Sequence, residues 1–114
     1  MSTKDSADPE LPVIAPRGDL DAETVPPLAD ELESAGTLHP GLVLDAEGIE
    51  FADSSFLNVL LTFHRRTDLR VAAPSPAVAR LLAITGTDTV LSVYPSVQAA
   101  QVPRPRTPGE DHTG

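Results

Sequence analysis

Two adjacent hydroxyls, Ser54 and Ser55, follow a carboxylate, Asp53, at the start of an amphipathic segment. Oxygen-bearing side chains fit a helix start because the first backbone N–H groups there have no partner within the helix. The serines can therefore be helix caps, and Asp53 can be one too. A second role for Ser54 is that of a nucleophile with His64 as its base. These two residues lie about 15 Å apart along a helix that rises 1.5 Å per residue. That is too far for a nucleophile–base hydrogen bond, so we rank an enzyme last.

Other reactive residue types do not form a recognisable site. Asp45 ends a predicted strand, as a phosphoacceptor aspartate would, but that chemistry needs a nearby lysine and the only one is Lys4. The chain contains no cysteine, which excludes disulfides and thiolate zinc sites. The three histidines show no metal-binding spacing: His39, His64 and His112. We therefore predict no metal site and no cofactor.

The segment after the serines has the apolar periodicity of a helix that buries one face. That face comprises Leu57, Leu60, Leu61 and His64, widened by Phe56, Val59 and Phe63. Arg65 and Arg66 follow, where positive charge suits the carboxyl end of a helix. We expect this helix to continue to about Asp68.

The rest of the chain alternates short apolar runs with helical segments. The predicted strands are Pro12–Ala15 at an edge, Gly41–Asp45 at the centre, Leu69–Ala73 and Val90–Tyr94. The predicted helices run from about Val25 to a stop at Gly36, from the cap Ser75 to Gly86, and over Pro95–Gln101. Gly18–Asp21 is predicted to be a turn and Ala46–Ala52 a loop.

This order predicts a single α/β domain over residues 12–101, with an open sheet of about four strands and helices packed on it. Residues 1–11 are polar and residues 102–114 are rich in proline, so we expect a disordered arm and a disordered tail. The Asp-Ser-Ser segment should lie near the carboxyl end of the second predicted strand, where open α/β sheets usually place their sites.

The net charge of −9 is unevenly distributed. Ten carboxylates and no lysine or arginine lie between Asp19 and Asp53, which argues against nucleic acid as a partner. The acidic surface fits either a basic protein partner or simple solubility. No run approaches the length of a membrane span and no secretory signal is visible, so a cytoplasmic protein with no membrane partner is expected.

Four blocks of the chain together resemble the STAS domain, which sulfate transporters and anti-sigma factor antagonists share. The blocks are Gly18–Asp21, Leu42–Asp45, Phe51–Ser55 and Ser75–Leu81. The resemblance covers about residues 12–101 and implies a STAS-like open mixed sheet. It also implies a cytoplasmic, non-enzymatic protein that binds an anti-sigma factor with serine kinase activity.

By this resemblance, Ser54 is the phosphoacceptor, phosphorylation at Ser54 releases the anti-sigma factor, and a serine phosphatase restores the hydroxyl. Asp53, Ser55, Asp19 and Asp21 would support the site, the last two as an acidic turn near the serine. Phe56 and Asn58 are assigned to the partner surface. Because carboxylates surround the serine, we expect a phosphate there to act by repulsion and bulk at the partner surface rather than by rearranging the fold.

Phe56 departs from the family pattern, which has glycine after the serine pair. A phenylalanine there either crowds a kinase or adds an apolar contact. The alternative function is therefore a binding module of the same fold that is not phosphorylated and uses Phe56 as an apolar anchor. A second departure is the short first strand, which leaves the sheet one strand short or with a ragged edge.

Overall fold

The computed structural model describes residues 11–101, so the arm and tail predicted from the sequence lie outside the described residues except for Leu11. Within this described range the strands are β1 (Val13–Ile14), β2 (Gly18–Leu20), β3 (Gly41–Asp45), β4 (Ile49–Ala52), β5 (Asp68–Ala72) and β6 (Ser92–Tyr94). The α-helices are α1 (Val25–Leu38), α2 (Ser54–Arg66), α3 (Pro76–Thr85) and α4 (Val97–Gln101), and a 3₁₀ turn spans Thr87–Thr89.

Four strands form the main sheet, in the order β1-β3-β5-β6. The open four-stranded α/β architecture is confirmed, and every pairing is parallel where the resemblance implied a mixed sheet. Leu42, Val43 and Leu44 of β3 are completely buried, as expected for a central strand covered on both faces. The short β1 lies at the edge, in agreement with the prediction for Pro12–Ala15.

A separate two-stranded parallel sheet joins β2 to β4. The predictions of a turn at Gly18–Asp21 and a loop at Ala46–Ala52 are therefore wrong over most of both segments. Gly18 adopts a positive φ of 81°, and its N–H donates to the Gly48 carbonyl at 2.9 Å. Strands of three and four residues are too short to show a clear alternation, and their pairing joins segments about thirty residues apart.

Helix α1 continues two residues beyond Gly36, so the predicted stop is wrong. A glycine inside a helix costs about 1 kcal/mol relative to alanine but does not end it. The helix ends at Leu38 because His39 is extended, with φ −135° and ψ 154°. Pro40 explains this conformation, since a proline disfavours helical geometry in the residue before it.

The two faces of the main sheet are covered differently. Alternate strand residues such as Leu44 and Val71 join the large core formed with α1, α2 and α3. Their neighbours Val43 and Ala72 face the other side, where Leu11 and Ala100 cover them. Leu11 is thus part of the core and not of a disordered arm.

Arg70 fastens α4 to this second face. Its guanidinium donates to the Ala100 carbonyl at 2.7 Å and pairs with Asp68 at 2.9 Å, and Arg70 is only 3% exposed. No helix within residues 11–101 has the length and apolar character needed to cross a membrane.

Candidate functional site at the Asp-Ser-Ser corner

Ser54 is the first residue of α2 and is exposed. The strand that leads into it is β4 of the small sheet, whereas the sequence placed it after the main-sheet strand Gly41–Asp45. The serine still follows the carboxyl end of a parallel strand. It therefore lies at the kind of edge where open α/β sheets place their sites.

Asp53 caps α2. Its side chain accepts a hydrogen bond from the Ser55 N–H at 2.9 Å, and its carbonyl accepts from Phe56 and Leu57 at 3.1 and 3.2 Å. The backbone of Asp53 is extended, as is usual for a residue in this position. The sequence allowed either the serines or Asp53 to cap the helix. The structure shows that the Asp53 side chain is the cap.

The two serines differ in accessibility. Ser54 is exposed, and its hydroxyl has no hydrogen bond to any other residue in the part of the chain that the structure describes. Ser55 is half-buried and contributes its backbone N–H to the cap. A hydroxyl that makes no hydrogen bond with residues 11–101, at the positive end of a 13-residue helix, is accessible to an enzyme that modifies serine.

The pairing of β2 with β4 brings the acidic Gly18–Asp21 segment beside this corner. The Asp53 N–H donates to the Leu20 carbonyl at 3.3 Å, and Leu20 pairs with Ala52 in the strand register. Asp19 and Asp21 therefore flank the residue that contacts Asp53. The structure places the sequence-predicted acidic residues at one end of one small sheet.

Asp21 has a local structural role as well. Its Oδ1 accepts hydrogen bonds from the Glu23 and Thr24 N–H groups at 3.0 and 3.1 Å, in the turn that leads into α1. These bonds, led by that from Glu23, lower the pKa of the Asp21 carboxyl below its ordinary value. The lowered pKa favours the charged form of Asp21, which directly follows the residue whose carbonyl accepts from Asp53.

Phe56 does not lie on the partner surface. It is 0% exposed and belongs to the large core beneath α2, so its assignment as a surface contact and as an apolar anchor is wrong. The buried face of α2 is centred on Phe56, Leu60 and Phe63, while Leu61 and His64 are only half-buried. The buried face therefore differs from the predicted one. The side of the helix that packs on the sheet is buried, and apolar residues outside that side remain partly exposed.

Asn58, the other residue assigned to the partner surface, is exposed one turn after Ser54.

Phe51 is the functional candidate that the sequence did not single out. It lies on β4 opposite Asp19 and is 49% exposed, whereas Ile49 on the same strand is 1% exposed. Plain alternation would put both side chains on one face, but the register of β2 and β4 is irregular between their pairing positions. No simple sequence pattern reveals that irregularity.

The family of the chain follows from a match over most of its sequence. A family model described as "Mlab, STAS domain" matches residues 3–93. The chain belongs to the STAS domain family. The fold described above is thus that of a STAS domain.

Solved structures agree with this membership. An anti-sigma factor antagonist from Mycobacterium paratuberculosis is 26% identical, with a TM-score of 0.73 over 82% of this chain and 88% of that chain. The anti-sigma factor antagonist SpoIIAA in its unphosphorylated form is 20% identical, with a TM-score of 0.65 over 81% and 87% of the two chains. The STAS domain of a SulP transporter from Vibrio cholerae is 20% identical, with a TM-score of 0.59 over 80% of each chain. At 20% identity, the similarities to SpoIIAA and to the SulP transporter domain show the fold alone. No curated protein is significantly similar in sequence.

Proposed function

We propose that this STAS domain is a cytoplasmic anti-sigma factor antagonist that binds an anti-sigma factor with serine kinase activity and is switched off by phosphorylation of Ser54. A serine phosphatase reverses the modification. The observation that carries the proposal is the exposed Ser54 hydroxyl, which has no hydrogen-bond partner among residues 11–101 and follows directly on the Asp53 cap. The similarity to an anti-sigma factor antagonist supports the partner class.

The local charges explain why a phosphate at Ser54 would not rearrange the domain. A phosphoserine carries about −1.5 to −2 charges at neutral pH. The helix start offers roughly 0.3–1 kcal/mol of favourable interaction to an exposed anion. The carboxylates of Asp53, Asp19 and Asp21 oppose it. No arginine or lysine lies between residues 19 and 53 to form a new ion pair within this segment.

The effect of the phosphate therefore falls on the complex. Close contact at Ser54 would have to desolvate a dianion and accommodate three additional oxygens. A loss of about 3 kcal/mol in binding free energy reduces affinity about a hundredfold. That loss is sufficient for a switch.

A phosphorylation assay with matched serine variants tests the site. Purified full-length protein is incubated with ATP and each serine-kinase anti-sigma factor encoded in its genome, and the product is mapped by mass spectrometry. We expect one phosphate on the wild type and on Ser55→Ala, and none on Ser54→Ala. Phosphate that remains on Ser54→Ala contradicts the assignment.

A binding assay tests the switch. Titration calorimetry should show about hundredfold weaker binding of the same anti-sigma factor to the phosphorylated protein than to the unmodified one. Circular dichroism of the two forms should be the same. A change in fold on phosphorylation would contradict the proposed mechanism.

A further inference from the structure

We propose that Phe51 is the apolar anchor of the partner-binding surface and inserts into an apolar pocket on a protein whose docking face is basic. The inference rests on the proposed function only in taking that protein to be the anti-sigma factor. It assigns to Phe51 the contact that the sequence assigned to Phe56, which is completely buried.

The side chain itself is of the type that dominates protein interfaces. Among the large apolar residues that are exposed within residues 11–101, Phe51 is the only aromatic one; the others are Val13, Leu38, Ile84, Val90 and Val93. Aromatic side chains provide a large apolar area for few rotatable bonds, and a few of them carry much of the binding energy of an interface. Phe51 leaves about half of that area uncovered in the free protein.

The position of Phe51 ties it to Ser54. Only two residues lie between them along the chain, so their Cα atoms lie within about 11 Å of each other. A standard interface covers about 800 Å² on each partner. An interface patch of that size around Ser54 is wide enough to include Phe51, and both residues are exposed.

Charge determines the kind of partner. Acidic residues surround Phe51: Glu50 precedes it, Asp53 follows two residues later and Asp19 lies opposite it in the register of the small sheet. A second copy of this chain would bring the same acidic segment against itself in a two-fold interface, which is repulsive. A face that carries lysine and arginine around an apolar pocket is complementary.

This arrangement also explains how a dianion could weaken binding to a basic protein. Long-range attraction steers the partner towards the acidic surface, but the ring of Phe51 enters its pocket only if the two surfaces come into close contact. A phosphate on Ser54 prevents that contact through its bulk and the cost of desolvating it. The switch then acts on the apolar contact beside the serine.

Site-specific crosslinking in cells that produce the full chain tests the surface. The photoreactive amino acid p-benzoylphenylalanine is placed at position 51 or, as a control, at position 84, where Ile84 is 75% exposed on α3. After illumination, crosslinked proteins are identified by mass spectrometry. The main product from position 51, if absent from position 84, is purified and its affinity for the wild type, Phe51→Ala and Ile84→Ala is measured by titration calorimetry.

The expected result is a crosslink specific to position 51, at least tenfold weaker binding of Phe51→Ala and unchanged binding of Ile84→Ala. Affinity for the wild type should fall as sodium chloride is raised. A Phe51→Leu variant, which keeps an apolar side chain, should lose less affinity, and thermal melts confirm that each variant is folded. The inference is overturned if position 51 gives no specific crosslink, if it crosslinks to a second copy of the chain, or if Phe51→Ala binds like the wild type.

The two proposals can fail separately. A captured protein that requires Phe51 but does not phosphorylate Ser54 supports the anchor and contradicts the proposed switch. Phosphorylation of Ser54 by an anti-sigma factor that binds Phe51→Ala as tightly as the wild type supports the switch and contradicts the anchor.

Discussion

The Asp53 carboxylate accepts a hydrogen bond from the Ser55 backbone N–H at 2.9 Å and closes the start of α2 without either serine hydroxyl. Capping the helix and presenting a hydroxyl for modification are therefore done by different residues, which the sequence alone did not show. The aspartate stabilises the helix, and the Ser54 hydroxyl stays exposed to solvent. A modification of Ser54 therefore does not remove the cap.

Replacement of Asp53 should lower stability through the lost cap. We expect Asp53→Ala to reduce the free energy of unfolding by about 1 kcal/mol, because alanine cannot accept the hydrogen bond from Ser55. Asp53→Asn should retain most of the stability, since asparagine caps nearly as well. Urea denaturation measures both. Ser54→Ala is the control and should stay within about 0.5 kcal/mol of the wild type. A loss in Ser54→Ala as large as that in Asp53→Ala would mean that the serine is the cap.

Truncation of Phe56 should damage the core. Phe56→Ala should lower the free energy of unfolding by about 3–5 kcal/mol, because the ring is completely buried and its removal leaves a cavity. Phe51→Ala is the matched control and should cost less than half as much, since half of that ring is in solvent. Both are measured by urea denaturation. If a Phe56 variant binds its partner more weakly, the cause is then the damaged fold and not a lost contact with the partner. Equal losses in the two variants would contradict the buried position of Phe56.

Asp21 should contribute a pH-dependent part of the stability. Its pKa is lowered in the folded protein by hydrogen bonds from Glu23 and Thr24. A carboxyl with a lowered folded pKa stabilises the protein above its unfolded pKa, and this contribution is lost as pH falls through the folded value. The pKa of an aspartate in an unfolded chain is about 3.9.

An Asp21→Asn variant isolates that contribution. The difference in unfolding free energy between wild type and variant should be constant from about pH 7 to 5 and should decrease below about pH 3.9. Urea denaturation over a series of pH values measures it. A difference that does not change at acid pH would contradict a lowered pKa for this carboxyl.

Arg70 should hold α4 on the sheet. We expect Arg70→Ala to lower the free energy of unfolding by about 2 kcal/mol, because a buried charged donor to the Ala100 carbonyl is lost. Hydrogen exchange should also become faster at the Ala100 amide, which donates to the carbonyl of Ser96, the residue before α4.

Arg66→Ala is the control for that experiment. The ion pair between Arg66 and Glu33 is about half exposed on both sides, and such pairs contribute less than about 1 kcal/mol. Its removal should leave hydrogen exchange in α4 unchanged. Equal effects of the two arginine variants would mean that Arg70 does not fasten the helix.

Much of the fold follows from local patterns. The buried strand Gly41–Asp45, the capped helix that begins with Ser75 and Pro76, and the helix after Asp53 are all predictable, since each has enough residues to show a period or carries a clear end signal. Where a boundary was wrong, as at Gly36, a neighbouring proline determined it.

The small sheet could not be derived in the same way. Strands β2 and β4 are three and four residues long, and they form because distant segments pair when the core assembles. That pairing places the acidic Asp19–Asp21 segment next to Asp53. From the sequence, the closeness of these acidic residues to the serine is implied only by the family resemblance.

By itself, the sequence determined the alternation of strands and helices, the acidic character of the chain and the position of the serine pair at a helix start, because these depend on residue types and short spacings. Only the tertiary structure decided that Asp53 is the cap, that Phe56 is buried and that Phe51 is exposed. The physical reason is that burial depends on which side of an element meets the rest of the core. For Phe56 the packing of α2 sets that side, and for Phe51 the strand register does.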